Sequence, residues 1–208
     1  MRRLQPPQPL VAHHDTARFD CGEAALNRWL TRRALTNQRS GATGTFVVCT
    51  PSNEVKAYVA LASGAIAAAA SPGRFRRNMP DPIPVVLLAR LAVCRSAQGL
   101  GIARALLADA FDRVLQASEQ IGVRGIVVHA ASAEARAFYL HMGFDPSPID
   151  PHTLLIRLCD VSAARGANSS TDQGCSAWKS ARQSCRQVLR DAEDLSPAIV
   201  ARDQQSSG

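Results

Sequence analysis

The sequence predicts an α/β (α+β) protein, and two adjoining segments are the strongest indications of it. Residues 85–93, VVLLARLAV, form a nearly continuous apolar run, which is typical of a strand buried on both faces of a sheet. Residues 94–107, CRSAQGLGIARALL, contain two glycines and continue into the apolar spacing of a helix. A buried strand that leads through a glycine turn into a helix is a building unit of α/β folds.

The N-terminal third predicts an arm, a helix and a hairpin. Residues 1–12 are rich in proline and glutamine and are predicted to be an arm. A helix is predicted to begin near Asp20, with Glu23 three positions later completing a pattern similar to a capping box. Residues 45–50 and 55–67 predict two strands, and the turn sequence PSNE between them joins the strands as a hairpin.

The rest of the chain alternates strands and helices. Residues 70–84, ASPGRFRRNMPDPIP, carry four prolines and predict a loop without regular structure. The remaining predicted elements are a strand over 85–93, a helix to about Ser118, a strand over 125–130, a helix capped by Ser132 and ended by Gly143, and a strand over 152–158. The composition turns small and polar after Asp160. The sequence therefore predicts a domain over 13–160 and a flexible C-terminal extension of unknown role over 161–208.

Composition excludes several classes of protein. The net charge of +7 permits a nucleic-acid partner. No run of 18 or more residues is free of charge and apolar enough for a membrane span, and the N-terminus lacks the apolar core of a signal peptide. The six cysteines show no C-x-x-C pair, so we expect no metal site. A cytoplasmic location with free thiols follows from these expectations.

The glycine turn is a candidate anion site. The first amides of a helix have no partner inside the helix, and glycines allow a phosphate to approach the backbone closely. The residues after Gly101 are IARAL, which lack the Lys-Ser/Thr pair of a P-loop, and Arg104 stands where a dinucleotide fingerprint requires a third glycine or an alanine. Taken by itself, the turn is better explained as a structural connection between a strand and a helix.

The glycine turn and a second motif together resemble a known family. The pattern Q-x-x-G-x-A at 98–103, after LARLAV and before RALL, resembles the acetyl-CoA motif of GNAT N-acetyltransferases. The later segment AEARAFYLHMGF resembles that superfamily's helix with A-x-x-F-Y followed by G-F. The segments FDCGEAALNRWLTRRALTNQRSGATGTFVV and GFDPSPIDPHTLLIRL further resemble GNAT-type toxins of toxin–antitoxin modules, which acetylate the amino acid on charged tRNA. This resemblance runs from about residue 11 to 160.

The resemblance implies a GNAT fold, with a central mixed β-sheet flanked by helices, and a set of functional residues. The residues implied to hold acetyl-CoA are Leu91, Ala92, Val93, Gln98, Gly99, Leu100, Gly101, Ile102, Ala103 and Arg104. Tyr139 is implied to be the general acid that protonates the departing thiolate. For the general base, His129 and His141 are candidates by proximity in sequence, and water is a third alternative. Strand amides near Val93 are expected to meet the oxyanion.

Arginines are candidate tRNA contacts, because the guanidinium group pairs well with phosphate. The candidates are Arg74, Arg76, Arg77, Arg90 and Arg32. A solvated surface is the ordinary alternative for such a run of charge. If residues 22–40 form one helix, Leu35 falls on the same side as the arginines, which predicts a break in that helix.

Three functions are weighed on this basis. The first is a toxin that acetylates the α-amino group of charged tRNA and so blocks translation; the resemblance implies a homodimer and a ribbon-helix-helix antitoxin for it. The second is a GNAT enzyme acting on a small-molecule amine or on a peptide or protein amine, which the basic loop disfavours. The third is a non-catalytic relative, which the glycine loop together with Tyr139 disfavours.

Overall fold

The structure is a computed structural model that describes residues 4–166. Its described strands form one seven-stranded sheet in the order β1-β2-β3-β4-β5-β7-β6. The strands are β1 Gln8–Pro9, β2 Gly44–Cys49, β3 Val55–Ile66, β4 Ile83–Val93, β5 Gly125–His129, β6 Asp145–Pro146 and β7 Thr153–Arg157. The pair β4 and β5 is parallel, whereas the other neighbouring strands are antiparallel. The predicted mixed sheet is therefore confirmed.

The helices cover both faces of this sheet. They are α1 Ala24–Trp29, a π-helical segment Leu30–Ala34, α2 Leu35–Ser40, α3 Gly73–Arg76, α4 Ile102–Ser118, α5 Ala133–His141 and α6 Leu158–Gly166. Side chains of α4 and α5 pack in one buried cluster with Val59, Leu91 and Val128. We call this side the α4 face. The opposite side, the α1 face, carries the α1 cluster around Tyr58 and a smaller cluster around Phe75 of α3.

A bulge in the centre of the sheet changes the orientation of β4. Ala60 of β3 pairs with Arg90, but Leu61 pairs with Leu88, so Ala89 is the additional residue. Before the bulge, Leu88 packs on the α4 face; after it, Leu91 packs there, which a regular two-residue alternation would not allow. The extra residue thus reverses which side chains of β4 face α4.

The parallel pair separates at the same place. β4 and β5 are paired only from Val85 with Gly125 to Leu88 with Val128. β4 continues five residues beyond Leu88, whereas β5 ends at His129. A gap therefore opens between the ends of the two central strands, next to the beginning of α4.

The N-terminal helix differs from its prediction. Residues 24–40 are continuous, and a π-helical segment replaces the predicted break near Leu35. The wider π-helical turn changes the direction of Leu35 relative to the arginines, and its side chain is half-buried. The predicted capping box is also wrong. Asp20 Oδ1 accepts from the Gly22 amide at 2.9 Å and from Asn27 Nδ2 at 2.9 Å, and Glu23 makes no side-chain cap.

Both predicted domain limits need correction. The arm over 1–12 includes β1, which pairs with β2, and Leu10 is buried. Proline is tolerated at such an edge strand because its missing N–H leaves no unpaired donor. At the other end, α6 runs beyond Asp160, and Val161 is buried in the α4-face cluster. The rest of the predicted extension, residues 167–208, lies outside the described residues.

The proline-rich segment 70–84 is more ordered than predicted. It contains α3, and its last residues already belong to β4. Phe75 is buried against the sheet, which anchors the short helix between the prolines. The other predicted strands and helices are confirmed, including the cap of α5, where Ser132 Oγ accepts from the Ala135 amide at 3.1 Å.

Gly125 is predicted to be essential for the packing of β5 against β7 and α3. A Cβ at this position would lie 2.2 Å from the Ile156 carbonyl oxygen and 2.7 Å from the Phe75 ring. We expect Gly125→Ala to lower the free energy of unfolding by about 2–3 kcal/mol and Tm by roughly 5–10 °C. Gly122→Ala is the matched control, because its Cβ would meet nothing within 4 Å. Equal thermal unfolding of both variants would contradict this account.

Candidate active site

The open edge of β4 presents main-chain groups to the gap. The Cys94 amide donates to the Lys56 carbonyl of the β3 side at 2.8 Å. Because antiparallel pairing alternates, the main chain of Ala92 also faces β3, whereas Leu91 and Val93 direct theirs toward the gap. The predicted contribution of Ala92 to a ligand in the gap is therefore corrected: its amide and carbonyl pair with Tyr58.

The glycine loop ends in a row of free amides. Gly99 and Gly101 have φ of 79° and 71°, a conformation that favours glycine. Within the described part of the chain, the amides of residues 99–104 have no acceptor, and Gly101 supplies no side-chain cap to α4. α4 is 17 residues long and adds its positive dipole end. These amides form a cradle of the kind that binds phosphate.

Gln98 fixes the loop from behind. Its Nε2 donates to the Val93 carbonyl at 3.0 Å and to the Cys21 carbonyl at 3.3 Å. The Arg95 amide donates to the Asp20 carbonyl at 2.8 Å, and the two side chains approach to 3.5 Å. The side chain of Gln98 thus ties the loop to β4 and to the segment before α1.

Two buried polar atoms near these elements have no partner among the described residues: Arg104 Nε and the Tyr139 hydroxyl. Tyr139 is fully buried in the cluster that includes Leu91 and Val93. Burial raises the pKa of Tyr139, so the phenol stays protonated at neutral pH and is a proton donor. A buried hydroxyl without a partner costs about 1–3 kcal/mol, which is typical of a site that a ligand completes.

The two histidine candidates for the general base lie in different surroundings. His129 ends β5 beside the gap, and its Nδ1 lies 2.7 Å from Thr153 Oγ1. His141 is exposed at the end of α5, and no hydrogen bond of its side chain to another described residue exists. The gap is therefore adjacent to one of the two predicted candidates.

The candidate arginines separate into three groups. Arg32, Arg76 and Arg77 are exposed. Arg74 is exposed but forms an ion pair with Asp145. Arg90 is buried, with its guanidinium 4.2 Å from the centre of the Trp29 ring.

The prediction that Arg90 contacts tRNA at the surface is therefore wrong, because the side chain is buried. It follows the bulge in β4, and its side chain points into the α1-face cluster, where Trp29 stacks on Tyr58. A cation–π contact in a buried position is a packing interaction that the strand pattern alone does not disclose.

Two functional groupings escaped the sequence analysis. Arg124 donates from Nε to the Phe75 carbonyl at 2.8 Å and from its terminal nitrogen to the Arg74 carbonyl at 3.0 Å, which holds α3 in place. Thr153 connects His129 to Asp150, since its Oγ1 donates to Asp150 Oδ2 at 2.5 Å. No signal in the sequence places Arg124 beside α3 or Thr153 beside His129, because these contacts join separate elements, whereas Thr153 and Asp150 lie three positions apart.

Among the described residues, neither a metal cluster nor a membrane helix accompanies the site. Between residues 4 and 166, no group of three or more His, Cys, Asp and Glu side chains is arranged to hold a metal ion. In the same part of the chain, no helix is both long and apolar enough to cross a bilayer.

Comparison with known proteins identifies the class of enzyme. Residues 44–146 match the model of the acetyltransferase (GNAT) domain. A tRNA-acetylating toxin of Mycobacterium tuberculosis (strain ATCC 25618 / H37Rv) is 48% identical over 166 residues, which cover 80% of this chain and 99% of the toxin. The chain therefore belongs to the GNAT acetyltransferases, and it is an acetyl-CoA-dependent N-acetyltransferase.

Solved structures agree with this assignment. AtaT complexed with acetyl-methionyl-tRNAfMet is 33% identical, with a TM-score of 0.72, and the match covers 77% of this chain and 98% of AtaT. AtaTR bound with acetyl-CoA is 32% identical, with a TM-score of 0.68, over 77% of this chain and 97% of the matched one. A tyrosine-to-phenylalanine mutant of KacT, 24% identical with a TM-score of 0.73 over 78% of this chain and 99% of KacT, shares the fold.

Tyr139→Phe is expected to lower the catalytic rate and to raise the thermal stability of the free enzyme. Removal of the hydroxyl should lower kcat at least about 100-fold and leave the acetyl-CoA Kd unchanged. Without acetyl-CoA, the variant should unfold about 2–4 °C higher than the wild type, because a buried hydroxyl without a described partner is lost. Steady-state kinetics, calorimetric titration and thermal unfolding measure the three quantities. A weaker acetyl-CoA affinity with unchanged kcat would contradict the role of Tyr139 as proton donor.

Proposed function

We propose that this enzyme transfers the acetyl group of acetyl-CoA to the α-amino group of the amino acid on charged tRNA and thereby blocks translation. The observation that carries the proposal is its 48% identity to a tRNA-acetylating toxin over 99% of that toxin. An identity of this extent includes both the GNAT core and the segments before and after it. The geometry of the gap and the glycine loop supports the same chemistry.

The residues around the gap fit acetyl-CoA. The amides of residues 99–104 and the guanidinium of Arg104 would hold the pyrophosphate, since they combine free donors, a helix N-terminus and a positive charge. The main chain of Leu91 and Val93, at the open edge of β4, would bind the pantetheine amides as a neighbouring strand does. Acetyl-CoA supplies an acetyl group already activated as a thioester.

Tyr139 and the strand amides serve the chemical step. The amide of Val93 faces the gap and would stabilise the negative charge that develops on the carbonyl oxygen. Tyr139, kept protonated by its burial, would give its proton to the thiolate as it leaves. The free amine of the amino acid is the nucleophile. Since an aminoacyl ester lowers the basicity of that amine, a part of it is unprotonated at neutral pH.

The tRNA would approach on the α1 face. Phe75 of α3 packs in the cluster on this side of the sheet, so α3 places Arg76 and Arg77 beside it in solvent. Arg32 projects from the π-helical segment of the same face. Arg74 contributes less charge because Asp145 neutralises it. The phosphate groups of the acceptor stem would meet this basic surface while the aminoacyl end enters the gap.

The proposal extends to the partners and the location of the enzyme. AtaT has been solved bound to the C-terminus of the antitoxin AtaR, at 30% identity to this chain, which supports an antitoxin partner. The resemblance to this class of toxins further supports an antitoxin of the ribbon-helix-helix type, a homodimer and a cytoplasmic location. Co-expression with a candidate ribbon-helix-helix antitoxin and light scattering of the free enzyme test the first two points.

The decisive experiment identifies the acetylated product. The enzyme is incubated with labelled acetyl-CoA and total charged tRNA, the tRNA is digested, and the labelled aminoacyl adenosine is identified. We expect label on the α-amino group of one or a few amino acids. Deacylated tRNA is the control and should remain unlabelled. Label on free amines, peptides or protein amines with none on tRNA would replace the proposal with the second function that the sequence permits.

The exposed arginines at the end of α3, Arg76 and the adjacent Arg77, are predicted to supply phosphate contacts. Arg76→Gln combined with Arg77→Gln should raise the KM for charged tRNA about 10-fold or more and reduce the salt dependence of binding by about one power of salt concentration per arginine. Arg76→Lys with Arg77→Lys is the charge-matched control and should retain most of the affinity. The KM for acetyl-CoA should not change in either variant. Equal tRNA affinities of the two double variants would show that charge at α3 is not used.

A further inference from the structure

We propose that His129 is the general base of this enzyme and that Thr153 and Asp150 orient it. The proposal rests on the function proposed above, since it assigns the atom that accepts the proton of the aminoacyl amine. His129 is partly exposed at the end of β5, beside the gap where β4 leaves β5. His129 is therefore adjacent to the place where the acetyl group would pass from the sulfur of acetyl-CoA to the aminoacyl amine.

The hydrogen bonds determine which nitrogen of His129 carries the proton. The Thr153 hydroxyl donates its only proton to Asp150 Oδ2 at 2.5 Å. Thr153 Oγ1, 2.7 Å from His129 Nδ1, must therefore act as an acceptor toward the imidazole. In the neutral ring the proton then lies on Nδ1, and Nε2 keeps its lone pair. This is the tautomer that a general base requires.

Asp150 fixes the direction of the Thr153 hydrogen bond. Its carboxylate accepts from the Thr153 hydroxyl and, at 2.9 Å, from the His152 amide. These two bonds, with the Thr153 bond the stronger cause, lower the pKa of Asp150 below its usual value. The carboxylate is ionised and can only accept, so Thr153 cannot reverse its hydroxyl. The titratable groups that face Asp150 in this region are His129 and His152.

The faces of the sheet place the acid and the base on opposite sides of the gap. Along β5, Val128 packs on the α4 face and Val127 on the α1 face. His129 and its cross-strand neighbour Thr153 follow the alternation of Val127 and lie on the α1 face. Tyr139 lies in the α4-face cluster, on the side of the glycine loop. The base is thus on the side of α3 and its arginines.

The chemical step balances with these two groups. The nitrogen of the neutral amine attacks the thioester carbonyl carbon, and a C–N bond forms. His129 Nε2 takes the proton that the nitrogen must lose. The C–S bond then breaks, and the departing thiolate takes the proton of the Tyr139 hydroxyl. His129 releases its proton to solvent, from which the tyrosine is reprotonated, so that one amide and one thiol are the products.

The test compares His129→Ala with the wild type on the charged tRNA identified by product analysis. We expect kcat/KM to fall about 100-fold or more, with the Kd for acetyl-CoA and for tRNA within about twofold of the wild type. Imidazole in the buffer should restore at least about 10-fold of the lost rate, because it can enter the space of the missing ring. It should not rescue Tyr139→Phe. His141→Gln is the matched control and should keep full activity.

Variants at Thr153 test the orienting role and do not remove the base. Thr153→Val keeps the shape but removes the hydroxyl, and we expect kcat to fall about 10-fold with little change in KM. Thr153→Ser restores the hydroxyl and should recover most of the rate. Should His129→Ala fail to fold, this pair decides the question: a valine variant as active as the serine variant overturns the proposal.

The outcomes separate this proposal from the function on which it rests. If the wild type acetylates charged tRNA and His129→Ala keeps its rate within about threefold, the base assignment is wrong and the function stands. A large loss that imidazole does not relieve also overturns the assignment. If the wild type labels no tRNA, the function fails, and the assignment fails with it.

Discussion

The early separation of β4 from β5 is the constraint on which the functional architecture depends. A parallel pair that continued to the ends of both strands would use the amides of Leu91 and Val93 for sheet hydrogen bonds and would leave no space between the strands. The bulge at Ala89 turns the upper half of β4 over, so that hydrophobic side chains still reach the core after the strand has left its neighbour. The core is thereby preserved while main-chain donors become available to a ligand.

The two faces of the sheet consequently differ in their chemical character. The α4 face is apolar around Tyr139 and ends in the amide cradle at the start of α4, which suits a long, flexible anionic donor. The α1 face carries exposed arginines and the polar chain from His129 to Asp150, which suits a large polyanionic acceptor. The gap is the connection between the two faces. In the proposed function, acetyl-CoA and charged tRNA would therefore meet at the gap without sharing a binding surface.

Local patterns made most of the fold predictable, and patterns of the same range led to the glycine loop and Tyr139 as candidate site residues. The strands, α4, α5 and the Ser132 cap follow from spacing and capping within a few residues, and the glycine loop and Tyr139 follow from motifs of the same range. The failures are contacts between distant elements. The burial of Arg90 depends on Trp29, some sixty positions earlier, and the link from His129 to Asp150 depends on strand pairing. β1 escaped prediction because two residues are too short for any periodic pattern.

The contacts of Gln98 give the two substrate surfaces a common anchor. One amide group holds the end of β4 and the chain that enters α1, and Arg95 reinforces the same junction through Asp20. Under the proposed function, Gln98 joins the segment before α1, whose continuation carries Arg32, to the amide cradle. If tRNA and acetyl-CoA bind as proposed, any ordering of this junction by one substrate would favour the other, and thermodynamic linkage would make that effect reciprocal. In the proposed function, the glycine loop would thus connect the two substrate surfaces in addition to binding the pyrophosphate.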